Sequence, residues 1–153
     1  LRIPRAEAQG FIDRYFERFP GIRAYMDDTV AFAKAHGHVE TLFGRKIHTP
    51  EISAKGPGAG FAKRAAINAP IQGTAADVIR RAMIRMPGAI AGIDAQMLLQ
   101  VHDELLFEVA EADVDRLIAT AKEVMETASD PAVQLSVRLV VEAGRGPNWA
   151  AAH

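Results

Sequence analysis

The sequence predicts an α+β fold in which helices pack against a small antiparallel sheet. In the first 36 residues, apolar side chains recur every three or four positions, which is the period of amphipathic helices. Later, two apolar runs flank the polar triplet His102-Asp103-Glu104, which is the pattern of a β-hairpin. The stretch 61–86 between these regions again has helical spacing. Together the three regions predict the α+β class.

The composition excludes several kinds of protein and site. The 153 residues are 49% hydrophobic and 24% charged, which is typical of one globular domain or a piece of a larger one. No apolar run approaches the ~20 residues that cross a bilayer, so no membrane partner is expected. The absence of cysteine excludes disulfides and thiolate metal sites. Leu1-Arg2-Ile3-Pro4 lacks an initiator Met, so we expect a chain cut from a longer one.

Charge is segregated along the chain, although the net charge is only −1. Residues 45–85 hold eight Lys or Arg against two acids, whereas residues 86–143 hold eleven acids against three bases. Such segregation suits a protein that holds a polyanion with one segment and cations with another. The alternative is two solvated faces whose charges cancel.

Two helices are predicted at the start, over 5–19 and 20–36. Pro20 fits the first turn of a helix, and Gly37 fits a helix end. We expect both apolar faces to be buried in a core, because burial is the common fate of such faces. The faces consist of Ala8, Phe11, Ile12, Tyr15, Phe16 and Phe19 in the first helix, and Ile22, Tyr25, Met26, Thr29, Val30 and Ala33 in the second.

A short hairpin is predicted next, from Val39–Leu42 and Lys46–Thr49. Gly44 supplies the unusual backbone angles of its turn, and Arg45 faces outward there. Residues 50–60 contain two Pro and three Gly and are predicted to be a mobile loop.

The stretch 61–86 is predicted to be helical but interrupted near Pro70, which lacks an amide hydrogen and clashes with the preceding turn. Thr74-Ala75-Ala76-Asp77 resembles a capping box, so a new helix start is expected there. Pro87-Gly88 is expected to end the helix. Ile79, Ala82, Met83 and Met86 form its inward face, while Arg64, Asn68 and Gln72 recur every four residues and form a polar stripe.

The last part of the chain is predicted to hold a helix, a strand and a tail. The helix covers 111–128, with acids in its first turn where the helix dipole favours them. Residues 135–141 are predicted to be a strand, and 145–149 an irregular tail whose Trp149 packs on the core.

The hairpin triplet is the candidate chemical site. Adjacent carboxylates raise the local negative potential, and a hard divalent cation such as Mg²⁺, bound also by substrate phosphates, relieves it. The alternative is an acidic turn that only keeps two strands soluble, because turns favour Asp for reasons unrelated to chemistry.

Two segments resemble family A DNA polymerases of bacteria. Gln100–Val109, with His102-Asp103-Glu104, resembles the palm signature of that family, and Arg64–Asp77 resembles its primer-template contact segment. Thr41-Leu42-Phe43-Gly44-Arg45 and the closing Asn148-Trp149 with terminal His153 fit the same family. Two independent motifs in the right order are more specific than either motif alone. Together with the other two segments, they extend the resemblance over nearly the whole chain.

The resemblance implies a division into a distal fingers portion, 1–60, and a palm portion, 61–153. The fingers portion is helical and ends in the short hairpin and loop, and the palm holds a small antiparallel sheet packed by helices. Family A polymerases join a nucleotide to a primer 3′ end through two Mg²⁺ ions held by palm carboxylates. By position, Asp103 is a metal ligand, Glu104 an auxiliary metal carboxylate, and His102 a neighbour of the primer end.

The resemblance also implies partners, namely primer-template DNA and, in the complete enzyme, deoxynucleoside triphosphates. Arg64, Asn68 and Gln72 are expected to contact the DNA, because amides meet the degenerate acceptors of the minor groove without reading sequence. Arg45 is expected either to contact the DNA backbone or to be a solvated turn residue. Arg80, Arg81 and Arg85 have a weaker claim, since basic residues also complement a helix dipole. The implied location is the bacterial cytoplasm, at the nucleoid.

Two family features are missing from the sequence, an Asp-Tyr-Ser motif and the helix that binds the incoming triphosphate. We therefore expect the 153-residue chain to be inactive alone, and to self-associate through uncovered edges. Two other functions stay open. One is a non-catalytic nucleic-acid-binding module that uses the basic segment 45–85. The other is a metal-dependent hydrolase at Asp103 and Glu104, which is weaker because no His pair or further carboxylate has convincing ligand spacing.

Overall fold

The computed structural model describes residues 4–56 and 58–152 and has the predicted α+β architecture. The first residues, Leu1-Arg2-Ile3, and the terminal His153 that supports the resemblance lie outside the described residues. The elements in chain order are α1 (Arg5–Arg18), α2 (Pro20–His36), β1 (His38–Glu40), β2 (Lys46–His48), α3 (Ala59–Ala89), β3 (Ala95–Val101), β4 (Glu104–Val109), a 3₁₀ turn (Glu111–Asp113), α4 (Val114–Glu126) and a second 3₁₀ turn (Trp149–Ala151).

The chain divides into two compact units, Leu1–Ile71 and Gln72–His153, and the boundary falls within α3. The division into fingers and palm portions at residue 60 stays a prediction. Among the described residues, no helix has both the length and the apolar character that crossing a bilayer requires.

The first unit contains the predicted helix pair and short hairpin. Pro20 opens α2, and Gly37, at φ 72°, ends it in the left-handed conformation that favours glycine. The strands β1 and β2 then pair antiparallel, with Val39 opposite Ile47. These elements lie where the sequence predicts them, because proline, glycine and the apolar period act locally.

The core of the first unit is small, and α1 contributes nothing to it. Its buried residues are Ala33, Val39, Ile52 and Ala66, with Val30, Ile47 and Ala69 packed against them. No residue of α1 is buried, and Phe11 and Tyr15 are 52% and 49% exposed. The prediction that the apolar face of α1 belongs to the core is therefore wrong. The period of apolar residues predicts that a helix has an apolar face, but it does not predict whether another element packs against that face.

Helix α3 is longer and less interrupted than predicted. It runs through Pro70 without a new start at Thr74, and through Pro87 to Ala89. Near Pro70 the hydroxyl of Tyr25 donates to the carbonyl oxygen of Ile67 over 2.8 Å, in a turn where proline removes one backbone donor. Beyond Pro87 the amide of Ile90 donates to the carbonyl of Met86 over 3.0 Å. The predicted break and early end are thus wrong, since the side chain of Tyr25 bonds the helix near Pro70 and backbone hydrogen bonding continues past Pro87.

The second unit packs helices on one face of the β3–β4 hairpin. Met86, Ile90 and Ile93 from the end of α3 and beyond it are buried with Leu117 and Ala121 of α4. Half-buried side chains of the hairpin and of α4 close this core, namely Ala95, Met97, Leu105, Phe107, Val109, Val124 and Met125. The core therefore fixes the base of the hairpin and leaves its turn to solvent.

Two predictions for the last part of the chain are wrong. Residues 135–141, all of which the structure describes, form no strand. The amide of Val141 donates instead to a carboxylate oxygen of Glu126 over 3.0 Å, so side-chain bonding replaces a strand partner. Trp149 is 44% exposed rather than packed on the core. The strand was predicted from a partial alternation of apolar residues and the burial of Trp149 from residue type, and neither signal specifies what the segment packs against.

Candidate functional site: the β3–β4 turn and the polar stripe of α3

The β3–β4 hairpin turns through two residues, His102 and Asp103. Val101 pairs with Glu104 at the ends of the strands, so Glu104 belongs to β4 and the predicted three-residue tip is shorter by one residue. His102 has φ 54°, a left-handed conformation that few non-glycine residues adopt. The side-chain amide of Gln100 donates to the carbonyl oxygen of His102 over 2.7 Å. A side chain of β3 therefore holds the turn that presents Asp103.

The turn carries exposed carboxylates. His102, Asp103 and Glu104 are all exposed, and none of the three side chains contributes to the core. Carboxylate oxygens are the ligands that Mg²⁺ prefers in proteins. Within 4–56 and 58–152, however, no group of three or more His, Asp or Glu side chains is placed to hold a metal ion. Asp103 and Glu104 thus fit part of a magnesium ligand set, and the remainder has to come from other groups.

The predicted polar stripe lies on one continuous helix. Arg64, Asn68 and Gln72 are all exposed on α3, and each is four residues from the next, which places them on adjacent turns about 6 Å apart. A guanidinium nitrogen of Arg64 lies 3.4 Å from the position that a Cβ on Gly60 would occupy, so Arg64 lies along the preceding turn. Arg64 and Asn68 belong to the first unit and Asp103 to the second, and their convergence on one ligand stays a prediction.

The turn between β1 and β2 presents Arg45 to solvent. Buried Thr41 organises this turn, because its hydroxyl oxygen accepts from the amides of Phe43 and Arg45 over 3.3 and 3.2 Å. Gly44, at φ 78°, supplies the left-handed residue that the turn requires. The role of Thr41 was not predicted, although a hydroxyl side chain before a glycine turn is a recognisable signal. The role of Gln100 was not predicted either. Its hydrogen bond to the backbone two residues later has no counterpart in the pattern of residue types.

Two of the three basic residues after the stripe have structural partners. Arg81 donates to the carbonyl oxygens of Ala128 and Asp130 over 2.8 and 3.3 Å. Arg85 donates to the carbonyl oxygen of Thr127 over 2.9 Å and also to that of Asp130. These carbonyls lie just beyond the C-terminal end of α4, where the helix dipole is negative. The arginines thus complement the end of α4 rather than that of their own helix.

A family model and several curated proteins match this chain. The model described as DNA polymerase family A matches residues 1–151. A DNA polymerase I of Rhizobium leguminosarum is 51% identical over 158 residues, which cover 100% of this chain and 16% of that protein. A DNA polymerase I of Pseudomonas aeruginosa is 49% identical, with 100% of this chain and 17% of that protein covered. A thermostable DNA polymerase I of Thermus thermophilus is 44% identical, with 99% of this chain and 18% of that protein covered.

A solved structure matches the fold with a TM-score of 0.90 and 43% sequence identity. It is the POL domain of Pol1 from M. smegmatis in complex with a DNA primer-template and dNTP, and the match covers 98% of this chain and 26% of that one. The chain spans only about a sixth of the length of the curated relatives it matches.

Proposed function

Because the chain belongs to DNA polymerase family A, we propose that it forms part of the fingers and palm of a DNA-directed DNA polymerase. The complete enzyme adds deoxynucleotides to a primer 3′ end. The observation that carries this proposal is the exposed turn that presents Asp103, in a fold similar to a polymerase domain that binds primer-template DNA and dNTP.

The carboxylates of the hairpin are the catalytic contribution of this chain. Asp103 is a ligand of Mg²⁺, and Glu104 is an auxiliary carboxylate at the same two-metal site. Bound Mg²⁺ supplies acidification of the attacking 3′ hydroxyl and stabilisation of the departing pyrophosphate. Gln100 fixes the turn through the carbonyl of His102, so Asp103 is held in place before substrate arrives. His102 itself lies beside the primer end.

The polar stripe of α3 contacts the duplex at the primer end. The amides of Asn68 and Gln72 meet the acceptors that every base pair presents in the minor groove. Arg64 pairs with a phosphate or a base edge. Arg45 contacts the DNA backbone from the β1–β2 turn. This set accepts any sequence and senses the shape of the duplex, which a template-directed enzyme requires.

The proposal includes a place and an assembly state. The complete polymerase lies in the bacterial cytoplasm and associates with the nucleoid through DNA, which a fluorescent fusion compared with a nucleoid stain would test. The isolated chain is inactive and self-associates.

The decisive experiment replaces Asp103→Asn in the complete polymerase. We expect nucleotide incorporation to fall by orders of magnitude while primer-template binding is retained, because a metal ligand is lost and the DNA contacts are not. Glu108→Gln is the matched control, since Glu108 is an exposed acid on the same hairpin. Unchanged incorporation by the Asp103→Asn enzyme would instead support the second candidate, a non-catalytic nucleic-acid-binding module that uses the basic segment 45–85.

A further inference from the structure

Four rings form a continuous strip at the junction of α2 with the β1–β2 hairpin. Phe32 and His36 stack within α2, with ring centroids 4.1 Å apart and planes 21° apart. Gly37 turns the chain directly into β1, which brings His38 within 5.8 Å of Phe32 and 6.1 Å of His36. His38 pairs across the strands with His48, and their ring centroids are 6.2 Å apart. We call Phe32, His36, His38 and His48 the ring strip.

The ring strip faces away from the core. Val39 and Ile47, which alternate with the histidines along the two strands, point into the core of the first unit. His36 and His48 are exposed, and Phe32 is 40% exposed. The rings of Phe32, His36 and His48 therefore have surface available to a ligand, whereas the side chain of His38 is 13% exposed and lies among them.

Hydrogen bonding fixes the orientation of the His38 ring. Its Nδ1 lies 2.9 Å from the carbonyl oxygen of His36, and its Nε2 lies 3.1 Å from a carboxylate oxygen of Glu40. Both ring nitrogens of His38 are therefore engaged, and the ring is held in one orientation. Lys46 lies opposite Glu40 in the strand register, and exposed Arg45 precedes it. Lys46 and Arg45 thus supply positive charge near the rings, with Glu40 as the acid on the same face.

A metal ion fits the strip poorly. Both nitrogens of His38 are engaged, and Nδ1 of His36 lies 3.0 Å from the carbonyl oxygen of Phe32. Throughout the described part of the chain, no three His, Asp or Glu side chains are grouped to hold a metal ion. The remaining chemistry of the strip is stacking and positive charge, and single-stranded nucleic acid is bound by this combination because its bases are free to stack and its phosphates are anionic.

We infer that the ring strip is a binding site for single-stranded nucleic acid, distinct from the duplex contacts of the α3 stripe. Unpaired bases stack on the rings of Phe32, His36 and His48, and phosphates lie near Lys46. Duplex DNA does not suit the strip, since its bases already stack on one another. The inference extends the proposed function, because a template-directed enzyme has an unpaired template strand to hold.

The test measures binding of the 153-residue chain to a fluorescein-labelled dT oligonucleotide of about 12 nucleotides by fluorescence anisotropy. We expect the double variant His36→Ala/His48→Ala to bind roughly fivefold more weakly or worse, because stacking is lost. His36→Phe/His48→Phe keeps the rings and binds more tightly than the alanine pair. Lys46→Gln makes binding less dependent on salt, because one phosphate contact is removed. Phe11→Ala, at an exposed aromatic residue outside the strip, leaves binding unchanged.

Three results would overturn the inference: no binding by the unaltered chain, equal affinity in the alanine pair, or a phenylalanine pair that binds no better than the alanine pair. Circular dichroism checks that each variant is folded. We expect folding to be retained, because the substituted side chains are exposed. Binding to a blunt-ended DNA duplex, which has no unpaired strand, distinguishes this site from the duplex contacts of the proposed function. Arg64→Ala weakens duplex binding and spares the oligonucleotide, whereas the strip variants do the reverse. If Arg64→Ala leaves duplex binding unchanged, the stripe proposal fails and the ring strip is unaffected.

Discussion

Arg81 of α3 donates from Nε to the carbonyl oxygen of Ala128 over 2.8 Å, at a position just beyond the C-terminal end of α4. Ala128 is fully buried, so water has little access to its carbonyl oxygen. This bond links two segments that are 47 residues apart in the sequence. A residue that the charge pattern places in a basic, nucleic-acid-binding segment therefore contributes to the fold of the second unit.

Replacing Arg81→Met should lower the free energy of unfolding by about 2 kcal/mol, because a charged donor to a buried carbonyl is lost while the aliphatic stem is kept. Urea denaturation followed by circular dichroism measures the change. Arg80→Met is the matched control at the exposed neighbouring position, where we expect a change within ~0.5 kcal/mol. Equal stability of the two variants would show that the Ala128 contact contributes nothing.

Met86 is the largest fully buried side chain in the core of the second unit. Met86→Ala should destabilise the chain by about 2–5 kcal/mol, the range for large-to-small changes in a packed core. Ile84→Ala, on the same helix at a residue that is 70% exposed, should cost far less. Chemical denaturation of both variants makes the comparison, and a small effect at Met86 would mean that the core repacks around the cavity.

Gln100 should position Asp103 without touching substrate. In the complete polymerase, Gln100→Leu should lower kcat on the order of tenfold, because small displacements of a reacting group are costly, with a smaller change in KM for primer-template. Gln96→Leu, at another exposed glutamine of β3, should leave both constants near their original values. Steady-state incorporation kinetics separate the two constants. A change confined to KM would assign Gln100 to DNA binding instead.

The 153-residue chain should incorporate no nucleotide by itself. The described residues hold no complete metal site. One pair of carboxylates binds Mg²⁺ only weakly, because the ion keeps much of its water. Primer extension by the purified chain, with the complete polymerase as the positive control, measures this. Template-dependent synthesis above background would contradict the proposal that other parts of the polymerase complete the site.

The chain should also self-associate. Both sheets of the described part have two strands, so each strand has one edge that pairs with no other strand, and Leu98 and Leu99 of β3 are 49% and 45% exposed. Such edges invite pairing between copies. Light scattering over a wide concentration range measures the mass. We expect Leu98→Lys to reduce association and Val137→Lys, outside any strand, to leave it unchanged; a constant mass of one chain would contradict the idea.

Local signals in the sequence placed several elements correctly. Pro20 and Gly37 set the bounds of α2, and the turn residues around Gly44 and His102 located both hairpins. Proline, glycine and hydrophobic alternation act through the few residues around them, so their consequences can be derived from the sequence. The two motifs around Arg64 and Asp103 likewise identified the family, which the comparisons confirm.

The sequence by itself determined the α+β class, the two hairpins and the family, because each depends on residues that are near one another in the chain. Only the tertiary structure decided that α3 continues through Pro70, that the apolar face of α1 is exposed and that residues 135–141 form no strand. Each of these outcomes depends on whether a distant group supplies a hydrogen bond or covers a surface. Residue type and spacing do not specify such a partner, since the chain brings it into contact only when folded.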